Sequence, residues 1–283
     1  MRIVYIDQTG KNMSGEVMNE DQDLDAEKYK PKRYWEGRAK TSKGDTYDAV
    51  CVLGLSKEEN AAAEKVQADT LKSVLHTIKL KDAKVMEFGC GVGRWANYFL
   101  GQGASYIGVD ISEGMLEMAR ERVPRAELHR IDSSELPLPE NEIDLAFSIT
   151  VLHHNSHKDQ RAIIDEMVRV TKPGGFILLM EGVEEKRDQS SFNMFPRTID
   201  GWVAEVEKSG ACLVKIKPID WWLLRSAVFK LLRSLGMQKA NSDSMKTLNS
   251  ILVRTGLYMD KYLLVFLPRR FASNAAMLFK KVE

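Results

Sequence analysis

Residues 83–110 read AKVMEFGCGVGRWANYFLGQGASYIGVD. An apolar run, a glycine turn, a helix-like stretch closing on Gly103 and a second apolar run ending at Asp110 follow one another here. That is the order of a strand, a crossover helix and a parallel neighbour. Downstream the alternation continues: a helix over 112–122, a strand near 126–131, a strand over 142–149, a helix over 158–171, a Lys172-Pro173-Gly174-Gly175 turn and a strand over 176–181. A helix over 199–209, a strand over 211–216 and a last strand over 275–282 complete the pattern. Strands and helices at this spacing predict an α/β fold, a doubly wound sheet with helices on both faces. Upstream, residues 57–80 place Ala63, Val66, Leu71, Val74, Leu75 and Ile78 on one helical face, an amphipathic helix. Ile3 to Ile6 is strand-like, and 7–33 is polar and without period, a surface arm.

The chain has 283 residues, 44% hydrophobic and 29% charged, the profile of an ordinary globular protein. Its net charge of +1 is split unevenly: residues 221–283 hold 11 basic and 3 acidic side chains, and residues 1–220 hold 30 basic and 37 acidic. An anionic partner would therefore look to the C-terminal part. Cys51, Cys90 and Cys212 lie far apart, with no spacing suited to a disulfide framework or a zinc site, which fits a reducing compartment. Asp7 interrupts the N-terminus before an apolar signal segment forms, and no apolar run approaches the ~20 residues of a bilayer span. The reading expects a cytoplasmic protein.

A glycine turn at the carboxyl end of a strand sits where open α/β sheets bind ligands, with glycine letting the chain pass close to the bound molecule. A dinucleotide fingerprint would need a third glycine at 94, where Arg94 stands. Asp110, twenty-one residues after Gly89, is spaced to accept both hydroxyls of an adenosine ribose; the alternative is that Asp110 or Ser112 caps the following helix.

Four segments, VMEFGCGVGRW (85–95), YIGVDIS (106–112), RIDSSELPLPENEIDLAFSITVLHH (130–154) and EMVRVTKPGGFILLME (166–181), occur in the order of a known family. Across roughly 57–217 the chain resembles the class I S-adenosylmethionine-dependent methyltransferases, in particular the small-molecule branch similar to ubiquinone and sterol methyltransferases. The resemblance implies a Rossmann-like seven-stranded sheet whose last strand is antiparallel, with S-adenosyl-L-methionine as cofactor and no metal. It implies that Gly89, Gly91 and Gly93 approach the cofactor and that Glu87 and Cys90 help place its methionine part. Asp110 would bind the ribose, Ile111 and Met115 the adenine face, Asp132 the adenine amino group, and the Ser133 N–H a ring nitrogen. Ser148 would offer its carbonyl. For Asp132 an Asx turn is the alternative.

Methyl transfer from a sulfonium needs alignment and exclusion of water, and a hydroxyl acceptor adds a general base, for which histidine is best matched to neutral pH. His153 and His154 leave the carboxyl end of the fourth strand and are the candidates, either as base or as an orienting group. The segment 1–56 is read as an arm and cofactor-covering segment in which Arg38 pairs with the methionine carboxylate and Tyr34 or Trp35 covers the site, or else as a solvated charged helix. Residues 218–283 are read as a helical insertion on the acceptor side plus the last strand. Its apolar helix over 221–236 can cover the pocket, join a homodimer or rest on anionic lipid. The expected acceptor is a small or saccharide-type molecule, methylated at oxygen in preference to nitrogen, and nucleic acid is not the expected partner. An RNA or protein methyltransferase and a catalytically silent cofactor-binding subunit are the rival readings.

Overall fold

The computed structural model describes residues 30–52, 55–183, 193–221, 227, 228, 231, 234, 243–263, 266–269 and 272–282, and the backbone of 5, 6, 12 and 13. A seven-stranded sheet organises them: β1 (Lys84–Phe88), β2 (Ser105–Asp110), β3 (Glu127–Arg130), β4 (Ile143–Ile149), β5 (Thr171–Gly182), β6 (Ala211–Asp220) and β7 (Asn274–Lys281). Their order is β3-β2-β1-β4-β5-β7-β6. The first five strands are parallel, and β7 runs antiparallel between β5 and β6. The helices are α1 (Pro31–Thr41), α2 (Thr46–Val50), α3 (Lys57–Leu75), α4 (Ala96–Gly101), α5 (Glu113–Arg122), α6 (His157–Val170), α7 (Ile199–Lys208) and α8 (Asp243–Leu263).

Alternate residues of each central strand bury on opposite faces. Val85, Phe147 and Leu178 meet α3, α4 and α5 on one side, while Met86, Ala146 and Leu179 meet α6 and α7 on the other. Both faces are apolar because both carry helices. Local signals fix the helix starts: Ser56 and Glu59 form a capping box on α3, and Ser112, Ser156 and Thr198 cap α5, α6 and α7.

The structure departs from the sequence reading at several ends. The helix expected to Leu80 stops at Leu75, because the chain turns to enter β1 while Ile78 and Leu80 still pack on the core. The glycine turn extends through Trp95 before α4 begins. The Lys172 to Gly175 turn lies inside β5: Thr171 pairs with Ile143, pairing resumes at Phe176 with Leu145, and Gly174 takes φ 75° within the bulge. The polar arm holds a two-residue antiparallel pairing of Tyr5–Ile6 with Asn12–Met13, and helix α1 begins at Pro31. Ile3, Val4, and Trp222, Leu224, Phe229 and Leu235 of the 221–236 segment lie outside the described residues.

Beyond β4 the chain takes a 3-10 turn, Leu152–His154, whose start is held by one carboxylate from the next strand. Glu181, fully buried, accepts from the Ser148 hydroxyl at 3.1 Å and from the N–H groups of Val151, Leu152 and His153 at 3.2–3.3 Å. The His153 ring completes the set, with Nδ1 2.6 Å from Glu181 Oε2. On the outer side of α3, buried Lys261 of α8 donates to Thr70 Oγ1, and burial with Lys217 nearby pushes its ammonium down to about 8.

Two outcomes follow from these buried groups. Glu181→Ala leaves three N–H groups without their acceptor and is expected to cost about 3–9 kcal/mol at roughly 1–3 kcal/mol per buried orphan, with Glu181→Gln costing less, measured by urea unfolding. Lys261 holds its proton to 10.5 when unfolded but only to about 8 when folded. Between those values the unfolded chain carries a proton that the folded chain lacks, so stability rises with pH across that window. Lys261→Met is expected to raise the melting temperature at pH 7, where the wild type buries the ammonium, by a margin that shrinks towards pH 10.

Candidate functional site

A cavity of about 290 Å³ opens at the carboxyl ends of β1, β2 and β4, roofed by α1 and the segment after it. Its wall contains Glu87, Gly89, Cys90, Gly91, Arg94, Asp110, Ile111, Met115, Asp132, Ser133, Ile149, Thr150 and Val151, with Pro31, Trp35 and Val50 above. The glycine turn shapes its floor. Gly89 takes φ 73°, and a Cβ there would fall 2.5 Å from Val151 Cγ1. Its N–H and that of Cys90 donate to Val109 O at 2.8 and 3.0 Å, locking the turn onto β2.

Asp110 is buried, with Gly91 N–H donating to Oδ2 at 2.8 Å and Ser112 N–H to Oδ1 at 2.9 Å. The cap of α5 is Ser112, whose Oγ accepts from Met115 N, so the carboxylate of Asp110 is left for the cavity. Two backbone donors occupy half of the four or so lone-pair sites of a carboxylate, and the remainder suit a vicinal diol. Burial raises the Asp110 carboxyl, with the N–H bonds acting against it. Glu87 is also buried, accepts from the Tyr106 hydroxyl, and is pushed by burial up to about 8. Two buried carboxyls facing one cavity make a wall that favours a cationic ligand.

Asp132 stands at the exposed rim, bridged to Lys32 of α1 at 2.7 Å and to Arg130. Lys32 holds its carboxyl below the ordinary value. The turn after it is made by Ser133 Oγ, which accepts from Glu135 N–H, so Asp132 is not spent on an Asx turn. Glu36 of α1 accepts from the Ser112 hydroxyl at 2.7 Å and from Gly114 N–H at 3.3 Å, fastening the roof to the start of α5.

Five residues singled out in the sequence stand off this wall. Gly93 packs toward Val123 behind the turn. Arg38 is buried and spends its guanidinium on the carbonyls of Asp48 (2.6 and 3.0 Å) and Cys51 (2.8 Å), so it ties α1 to α2 instead of facing the cavity. Ser148 turns its hydroxyl to Glu181. His153 and His154 lie between Val151 and Asn155, which do line the cavity. His154 Nδ1 donates to Asn193 O at 2.7 Å, its ring meets Trp35 edge-on at 5.3 Å, and burial, with His153 and Arg38 nearby, pushes it down to about 3.

Arg94 is the residue that the sequence reading passed over, having been weighed only as the absent glycine of another fingerprint. Its side chain is 9% exposed, 3.6 Å from Glu64 and over the Trp95 ring, and it lines the cavity beside Glu87. Its position directly after the glycine turn was the available signal. No described residue of 218–283 reaches this wall, and no group of three or more His, Cys, Asp or Glu among the described residues is placed to hold a metal.

Residues 85–175 match the family model described as a methyltransferase domain. The chain is 36% identical over 107 residues to a tRNA (carboxymethyluridine(34)-5-O)-methyltransferase of Arabidopsis thaliana, covering 38% of this chain and 26% of that protein. It is 32% identical over 105 residues to a malonyl-(acyl-carrier protein) O-methyltransferase of Yersinia pestis, covering 37% of this chain and 39% of that protein. The chain thus spans well under half of either relative. A solved magnesium protoporphyrin IX methyltransferase of Synechocystis PCC 6803 with bound S-adenosylmethionine shares the fold at TM-score 0.57 and 13% identity, over 94% of this chain and all (100%) of that one. The sheet order and the glycine turn facing two buried carboxyls agree with the methyltransferase domain matched over residues 85–175.

Proposed function

We propose that the chain transfers a methyl group from S-adenosyl-L-methionine to a small-molecule acceptor, at oxygen in preference to nitrogen. The observation that carries this reading is the pair of buried carboxyls, Glu87 and Asp110, on either side of the glycine turn. In this assignment Asp110 holds the ribose diol, Glu87 faces the methionine amino group, and Arg94 takes the place given to Arg38 at the methionine carboxylate. Ile111, Met115 and Ile131 supply apolar wall for the adenine, with Asp132 and Ser133 at its polar edge. The cofactor supplies an electrophilic methyl on a sulfonium, so the chain's task is to orient the acceptor and keep water out.

Of the two histidines, His153 is the better equipped to take a proton, because Glu181 orients its Nδ1 side. His154, held near 3, stays neutral at physiological pH and serves as an orienting ring against Trp35. A base standing behind the Val151 to Asn155 wall acts only if acceptor binding brings it into reach. The oxygen assignment therefore rests on His153. A saccharide-type acceptor and a cytoplasmic setting remain part of the proposal; among the described residues no helix is long and apolar enough to cross a membrane. The Arabidopsis relative named for tRNA supports a second reading, methylation of RNA.

Methyl-labelled cofactor supplied to the protein with a metabolite extract or with total RNA separates these readings by which fraction is labelled. Label in RNA alone overturns the first. Glu87 adds a pH signature. Protonated up to about 8 in the free protein, it must lose its proton to pair with an ammonium group, so binding releases a proton below that pH. Between pH 6 and 7.5 the affinity for S-adenosylmethionine is expected to rise with pH, by at most about tenfold per unit. Calorimetry in buffers of different ionisation enthalpy detects the released proton, and Glu87→Gln is expected to abolish both effects. Binding without proton release in the wild type would remove Glu87 from this role.

A further inference from the structure

Glu87 and Tyr106 stand on neighbouring parallel strands, with Glu87 of β1 in register with Gly108 of β2 and Tyr106 two residues earlier on β2. Residues two apart on a strand share a face, so the Tyr106 ring and the Glu87 carboxyl meet on one side of the sheet. The ring is 2% exposed, packed in the core with α3, α4 and α5 and stacked 6.4 Å from Phe99. Packing of that kind fixes where the hydroxyl ends. It donates to Glu87 Oε2 and, among the described residues, has no other partner. A hydroxyl in a core needs such a partner, since an unpaired one costs free energy that phenylalanine avoids.

Glu87 spends only half of its carboxyl on this contact. Among the described residues nothing is hydrogen-bonded to Oε1, although Glu87 is 2% exposed and lines the cavity. A buried carboxyl oxygen without a donor calls for one, and a ligand N–H supplies it.

We propose that Tyr106 is a positioning residue, whose hydroxyl takes Oε2 of Glu87 and leaves Oε1 to receive the ammonium group of the ligand. The inference rests on the assignment of Glu87 to that group. The same contact decides where the proton of Glu87 sits. Burial holds the Tyr106 hydroxyl well above its ordinary value, so it stays a donor. The carboxyl, pushed by burial up to about 8, therefore carries its proton on Oε1. When an ammonium N–H arrives, that proton leaves to solvent and the ammonium donates in its place, while the Tyr106 bond is kept. Tyr106 and Arg94 favour the charged carboxyl, and burial and Asp110 oppose it; the Cys90 thiol, also buried, is the remaining titratable group near it.

Carbon-13 NMR of the full chain with labelled glutamate carboxyls, the Glu87 signal being the one absent in Glu87→Gln, reads this titration without any ligand. Wild-type Glu87 is expected to titrate at about 8. Tyr106→Phe, which keeps the ring, is expected to move the midpoint up by about one to two pH units, the loss of one hydrogen bond to a charged group. Replacement of Tyr106 by 3-fluorotyrosine, a stronger donor, is expected to move it down. Calorimetry at pH 7 is expected to show the affinity of Tyr106→Phe for S-adenosylmethionine lowered about ten- to a hundredfold, with no further loss when Tyr106→Phe is added to Glu87→Gln. A midpoint that stays in place in both Tyr106 variants, or a further loss on the Glu87→Gln background, overturns the inference and leaves Tyr106 a packing residue. A midpoint that moves while the affinity does not follow overturns the assignment of Glu87 to the ammonium group, and the inference with it.

Discussion

The docking of the glycine turn onto the end of β2 is the constraint on which the rest of the site depends. Gly89 and Cys90 donate to Val109 O, and Gly91 donates to the neighbouring Asp110 carboxylate. Both contacts need the chain to bend sharply while lying flat on its neighbour, which the positive φ of Gly89, Gly91 and Gly93 allows. Space is equally tight from below, because a Cβ at Gly108 would fall 2.8 Å from Cys90 Sγ. The turn thereby orients Asp110 and frees the N-terminal side of α5 for Ser112 and Glu36.

On the other side of the cavity the wall depends on a different buried carboxylate. Glu181 gathers the exit of β4, the 3-10 turn and the His153 ring into one hydrogen-bonded group. Its buried oxygens are satisfied by four donors, the Ser148 hydroxyl and the N–H groups of Val151, Leu152 and His153, which is the condition for burying such a group at tolerable cost. Thr150, with φ 58°, is the price of that arrangement in backbone conformation: the chain must leave β4 abruptly to bring Val151 over the glycine turn.

What was legible in the sequence is what local spacing controls. The parallel strands, the glycine turn and Asp110 follow from strand ends that can be read in a single pass, while Glu87 and Asp132 were pointed to by the family resemblance. Arg38 was not legible, because its destination is set by the carbonyls of Asp48 and Cys51, and backbone acceptors carry no mark in sequence. Arg94 was misread for a related reason: a fingerprint test asks whether glycine is present, and so says nothing of what a large cation does when packed over Trp95 beside Glu64. The adjacent histidines look equivalent as letters. The fold separates them by giving one a carboxylate partner and the other a backbone carbonyl.

The roof of the cavity is fastened unequally along α1. Lys32 to Asp132 is an ion pair between side chains 51% and 66% exposed, a contact worth roughly 0–1 kcal/mol in water. Glu36 on the Ser112 hydroxyl is partly shielded, and the Arg38 fork on two carbonyls is buried. Hold therefore increases along α1 from its first turn to its last. Pro31 lines the cavity beside the exposed pair, and Trp35, one turn on, is packed against the His154 ring. The exposed Lys32 to Asp132 pair thus adds little to the roof, which is held by the Trp35 ring against His154, by Glu36 on Ser112 and by the Arg38 fork.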